Sequence, residues 1–162
     1  MRHGSAPAWR RRADRVLGAG RRLTGLLDGV PVPMLAVDRE ARVIAANGLA
    51  GALLGSDLLD RPFVTVLRHP AIVEAVDRML DPEAGPAPVP DPALPTPPNG
   101  VVTLRAQFAA DGRDVLAEVT VAPLPSPFGP GATIALLDRS VAEEAEQMRR
   151  DFVANVSHEL KT

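Results

Sequence analysis

The sequence predicts an α+β domain on an antiparallel sheet, flanked by an N-terminal helix and a long C-terminal helix. Three observations carry this. Strand-like runs fall in two groups with short helical patterns gathered between them, rather than alternating strand by helix. Short turns join neighbouring strands, Asp111-Gly112 being the strongest hairpin signal. From about Ser140 the pattern changes to one long polar helix that is expected to run to the end.

The chain has 162 residues, room for one ordinary domain and its flanking helices. Aromatic residues make up only 3%, so the core must rest on Leu, Val, Ala and Ile. Cysteine is absent, which excludes disulfides, thiolate metal sites and cysteine nucleophiles, and fits a reducing compartment. The net charge of −2 gives no general reason to expect nucleic acid as a partner.

The charge is unevenly placed. Residues 1–22 hold seven Arg against one Asp, a formal +6, which leaves −8 for the rest of the chain. A basic segment before an acidic body suits the cytoplasmic side of a membrane, with an anchor upstream. An ordinary solvated helix with surplus Arg reads equally well. No window holds the roughly 18 apolar residues that a membrane span needs, and the first residues lack the apolar run of a signal peptide.

Residues 8–28 read as a helix with Trp9, Val16, Leu23 and Leu27 on one face, although Gly18, Gly20 and Gly25 weaken the pattern. Breakers follow at residues 29–33. Met34–Asp38 and residues 42–46 then form a hairpin about the turn Arg39-Glu40-Ala41. Asn47 stands where a helix can begin, with Leu49, Leu53 and Leu54 as its apolar face. Residues 63–67 are a short apolar segment. Pro70 suits the first turn of a helix to about Leu80, buried through Ile72, Val73, Val76 and Leu80. Residues 82–98 contain eight Pro and form a surface insert within one domain. Strands are expected at 101–108, 115–122 and 132–137.

The last helix carries the chemistry. At about 100° per residue, Ala145, Met148, Arg149, Phe152, Val153 and Leu160 fall within about 80° of Val156. Positions 141, 145, 148, 152, 155, 159 and 162 also alternate in steps of four and three, the spacing of a coiled-coil seam. With no second long helix to match it, the stripe predicts a parallel homodimer. His158 lies about 200° from Val156 and is expected to face solvent. An imidazole beside the Glu159 carboxylate can act as a nucleophile, the carboxylate holding one ring nitrogen while the other attacks. A lone exposed His on a helix is ordinarily just a surface residue.

Its context differs. Asp151-Phe152-Val153-Ala154-Asn155-Val156-Ser157-His158-Glu159-Leu160-Lys161-Thr162 closely resembles the H-box of sensor histidine kinases, at the start of their dimerisation and phosphoacceptor domain. The resemblance implies that His158 accepts the γ-phosphoryl group of ATP and passes it to an aspartate of a response regulator. It implies Glu159 as general base, and Thr162 as the residue that orients water for phosphatase action on the regulator. The family's ATP-binding domain, with its N, G1, F and G2 boxes, has no counterpart in this sequence. ATP and Mg would belong to the full-length kinase, and this segment is expected to be inactive alone.

The upstream stretch resembles a PAS domain over roughly residues 23–138. The match rests on residues 26–38, on Arg42-Val43-Ile44-Ala45-Ala46-Asn47 and on Ala50, Leu53, Leu54 and Gly55. Leu67-Arg68-His69-Pro70 before a helix is similar to the phosphate-regulon sensor kinases of the PhoR type. The expected order is therefore a basic segment at 1–22, a PAS-like sensor at 23–138 with its insert at 82–98, and a coiled-coil linker with the H-box at 139–162. His69 stands roughly where haem-binding PAS domains place a ligand, but a histidine before Pro70 reads better as a capping or packing residue. Asn47 reads as a cap or turn residue, and His3 belongs to the tail. The expectation is a sensor with no tightly bound cofactor and no metal. The alternative is a PAS ligand-binding or dimerisation module in which the histidine has no catalytic role.

Overall fold

The computed structural model describes residues 8–81, 83, 100–125 and 127–161, with backbone alone for residues 8–17. The elements run α1 (Ala8–Leu27), β1 (Met34–Asp38), β2 (Val43–Ala46), α2 (Gly48–Leu54), α3 (Phe63–Val66), α4 (Pro70–Leu80), β3 (Val102–Ala110), β4 (Arg113–Pro123), β5 (Gly131–Asp138) and α5 (Ser140–Glu159). The strands form one antiparallel sheet in the order β2-β1-β5-β4-β3. This is the α+β architecture read from the sequence.

Turn chemistry sets the hairpins. Asp38 Oδ1 accepts from Glu40 N and Arg42 N at 3.0 and 2.9 Å, which closes the β1–β2 turn and leaves Ala41 at φ 57°. Asp111 and Gly112 both take positive φ, 49° and 71°, so the β3–β4 turn follows the right-handed strand twist. The register slips between Ala36 and Val37, which leaves Ile44 as the extra, unpaired residue in β2.

Alternation along the strands splits the side chains between two faces. One face presents Leu35, Val37, Val119, Val121, Ile134 and Leu136, all buried, to α2, α3 and α4. Phe63, Ile72 and Val76 close this main core from the helical side. The other face carries a smaller cluster in which Leu23 and Leu27 of α1 pack against Ala36, Ala45 and Leu124. Gly20 makes this docking possible: a Cβ there would stand 2.7 Å from the Ile44 carbonyl oxygen. The glycine that weakened the helical pattern is thus where helix and strand come closest.

Several boundaries differ from expectation. The β3–β4 hairpin extends to Ala110 and Arg113, because small and polar residues can finish a ladder without apolar alternation. Arg42 stands just outside β2, in an isolated antiparallel bridge to Pro62. Leu49 is 46% exposed, and Ala50 takes its place beside Leu53, which is buried as expected. Helix α5 stops at Glu159, with Leu160 and Lys161 in a turn, so it falls short of the expected run to the end. The side chains of Trp9 and Val16, His3, the insert 82–98 apart from Glu83, and Thr162 lie outside the described residues.

Candidate functional site

The site begins where the sheet hands over to α5. Asp138, Arg139 and Ser140 form a clasp on β4. Arg139 N donates to Leu116 O at 2.7 Å, and Leu116 N donates to Ser140 Oγ at 3.0 Å. Asp138 Oδ1 accepts from Ser140 N at 2.9 Å, while Oδ2 takes Arg113 at 3.0 Å. Arg139 pairs with Glu118 at 3.2 Å. The Ser140 backbone N–H is the main cause holding the Asp138 carboxyl below its ordinary pKa, with help from the Ser140 hydroxyl and Arg113 against the opposing effect of burial. Bonds on both sides of the β5–α5 joint therefore tie the start of the helix to the sheet.

Helix α5 has no buried residue along its length. His158 is exposed in its last turn, next to exposed Glu159. Exposure alone does not set His158 apart, since Phe152 on the apolar stripe is 68% exposed too. The His158 carbonyl accepts from Lys161 N at 3.3 Å, closing the helix end. Further up, Glu146 receives Arg149 through Nε and Nη2 at 3.0 and 2.7 Å. That hydrogen bonding, more than any other cause, lowers the Glu146 pKa from 4.5 to about 2.

His69 belongs to a different part of the fold from His158. It occupies the N-cap position of α4 without a side-chain capping bond, and its Nδ1 is buried with no hydrogen-bond partner. It therefore caps by position only. It lines an open groove of about 920 Å³ along α3 and α4, with Val64, Arg68, Val73, Glu74 and Arg78 among the walls. Among the described residues no cluster of His, Asp and Glu has the makings of a metal site, and no helix is long and apolar enough to cross a membrane.

Asn47 does more than the sequence reading assigned. It is 3% exposed. Its Oδ1 accepts from Ala50 N and Met34 N, both at 2.9 Å. Its Nδ2 donates to Val32 O at 2.7 Å and Leu27 O at 3.1 Å. One side chain thus joins the end of α1, the following loop, β1 and α2. The signal available in the sequence was an Asn between a strand and a helix. Nothing local marked its long-range partners.

No family model matches the chain. Among curated proteins it is similar to the alginate biosynthesis sensor protein KinB of Pseudomonas aeruginosa, at 28% identity over 153 residues. That alignment covers 92% of this chain but only 23% of the relative, so the chain corresponds to under a quarter of that protein. Among solved structures it resembles the PAS domain of Bordetella pertussis BvgS, with a TM-score of 0.51 at 17% identity, over 85% of this chain and 97% of that one. It also resembles VqmA bound to DPO, with a TM-score of 0.52 at 15% identity, over 73% of this chain and 56% of that one. The domain that carries α5 therefore has the PAS fold.

Proposed function

We propose that this chain is the sensing and phosphoacceptor part of a two-component sensor histidine kinase, with the PAS fold as sensor and His158 as phosphoacceptor. The carrying observation is the contiguous run Asp151 to Thr162, which places His158 beside Glu159 on a helix clasped to the sheet at residues 138–140. The similarity to a curated sensor protein over nearly the whole chain supports the same reading.

In this reading an ATP-binding domain outside this chain presents Mg-ATP to His158. One imidazole nitrogen attacks the γ-phosphorus, ADP leaves, and Glu159 holds the other ring nitrogen and takes up its proton. The phosphoryl group then passes to an aspartate of a response regulator, and Thr162 positions the water that later hydrolyses that aspartyl phosphate to free aspartate and inorganic phosphate. Two copies pair through α5, and a change in the sheet rotates or shifts the paired helices through the clasp. The surplus of Arg in residues 1–22 suits the cytoplasmic face of a membrane. Resemblance around residues 67–70 favours a phosphate-regulon sensor.

The test mixes this chain with the ATP-binding domain of its own kinase and γ-labelled ATP. Label should enter the parent and be absent from His158→Gln. Equal labelling of the two sinks the assignment. A second reading, a ligand-binding module with an inert His158, draws on the groove along α4. It gains if the parent takes no label under conditions where the longer kinase does.

A further inference from the structure

Helix α5 carries a charge pattern as well as an apolar stripe. In the heptad that puts Ala145 and Phe152 at a and Met148 at d, Glu144 and Asp151 take g positions and Arg149 takes e. Val141, Met148 and Phe152 are 78%, 70% and 68% exposed, so the a/d edge is open along these turns. Glu144 is exposed and forms no ion pair among the described residues. Arg149 pairs only within its own helix, with Glu146 at 2.7 Å.

In a parallel pair of helices each g residue faces the next e position of the partner, so Glu144 would meet the partner's Arg149, twice by symmetry. An antiparallel pair faces g against g, here acid against acid. The charges therefore suit a second copy of this chain in parallel and in register.

The same heptad fails below Phe152. Its next seam positions are Asn155 and Glu159, while the apolar residues are Val153, Val156 and Leu160. At 100° per residue the centre of the stripe swings by about 80° between residues 141–152 and 153–160. A supercoil that keeps the upper seam closed turns these lower apolar residues away from it.

We infer that α5 pairs with a second copy only over residues 141–152, in a parallel register fixed by Glu144 and the partner's Arg149. The two-helix seam then ends at Phe152, above His158. This rests on the dimer reading given above and adds its register and its limit. The lower apolar face is left outside the pair, and His158 stands on helix that the seam does not clamp.

The chain has no native Cys, so single-cysteine variants report pairing directly. Ala145→Cys, Met148→Cys and Phe152→Cys of the full chain should form disulfide dimers rapidly under mild oxidation. Asn155→Cys and Glu159→Cys should do so about ten-fold more slowly. Glu144→Arg and Arg149→Glu should each weaken dimerisation by about ten-fold in sedimentation, and the double swap should restore it. No cross-link at any position, with a monomer throughout, overturns the dimer reading itself. Equal cross-linking at 155 and 159 overturns the seam limit alone. Single charge reversals without effect, or without rescue by the double swap, overturn the register alone.

Discussion

Ser140 Oγ accepts the backbone N–H of Leu116 at 3.0 Å, so the first residue of α5 completes the hydrogen bonding of β4. The residue before it reciprocates, Arg139 N donating to Leu116 O at 2.7 Å. Ser140→Ala removes one acceptor and leaves Leu116 N–H to water. The expected loss is about 1 kcal/mol of stability, read by urea denaturation. Hydrogen exchange at Leu116 N should rise more than exchange at Val119 or Val121 deeper in the strand. A uniform rise across β4 would show that the clasp is not a local joint.

Asn47 offers a sharper test. Its amide satisfies Met34 N, Ala50 N, Leu27 O and Val32 O from a position with 3% exposure. Asn47→Ala strands donors and acceptors from four segments and should cost about 3 kcal/mol or more. Asn47→Asp keeps the acceptor but sets a carboxylate oxygen against the carbonyls of Leu27 and Val32. It should therefore fail to rescue at pH 7. Thermal melts of the two variants decide this, and a near-native Asn47→Asp would reduce Asn47 to an N-cap.

Gly20 sets helix propensity against packing. In an isolated helix Gly→Ala gains about 1 kcal/mol. Here the new Cβ would stand 2.7 Å from backbone oxygen of Ile44, which cannot swing aside as a side-chain end would. Gly20→Ala should therefore destabilise the docking of α1, with Leu23 and Leu27 losing contact with Ala36 and Ala45. Limited proteolysis within α1 should speed up while the β3–β4 ladder keeps its exchange protection. Stabilisation by Gly20→Ala would mean that α1 moves off the sheet at little cost.

How much of this was legible in the sequence follows from where each signal resides. β1, the α4 start at Pro70 and the Asp111-Gly112 turn were legible because local pattern and local chemistry specify them. The PAS-like order of elements was legible for the same reason. The roles of Asn47 and Gly20 were not, because each depends on partners distant in sequence: Leu27 for one, Ile44 for the other. Leu49 was misread as buried because a short helix packs through whichever face the sheet meets, and Ala50 took that place. At the candidate site the exposure of His158 does not test the helical phase, because α5 buries no residue on any face. The clasp of residues 138–140 on Leu116 went unread, since a strand-to-helix junction shows no periodicity.

Acid should weaken α5 and its clasp by separable routes. A carboxyl with a lower pKa folded than unfolded stabilises the fold above its unfolded value. That contribution is lost as pH falls through the folded value. Glu146, lowered from 4.5 to about 2 chiefly by its hydrogen bonds from Arg149, should support α5 fully at neutral pH and release it between about 4.5 and about 2. Asp138, lowered from 3.8 first by the Ser140 N–H, should act in the same direction at the clasp once the pH drops below its ordinary value. Helicity by circular dichroism should therefore stay flat from pH 8 to about pH 5 and decline below it. Glu146→Gln should flatten the upper part of that decline. Asp138→Asn should lower stability near pH 7, and its deficit should shrink as the pH falls below 3.8 and the parent's Asp138 carboxyl takes up its proton. An Asp138→Asn deficit that persists undiminished in acid would assign the clasp to hydrogen-bond geometry and not to the carboxylate charge.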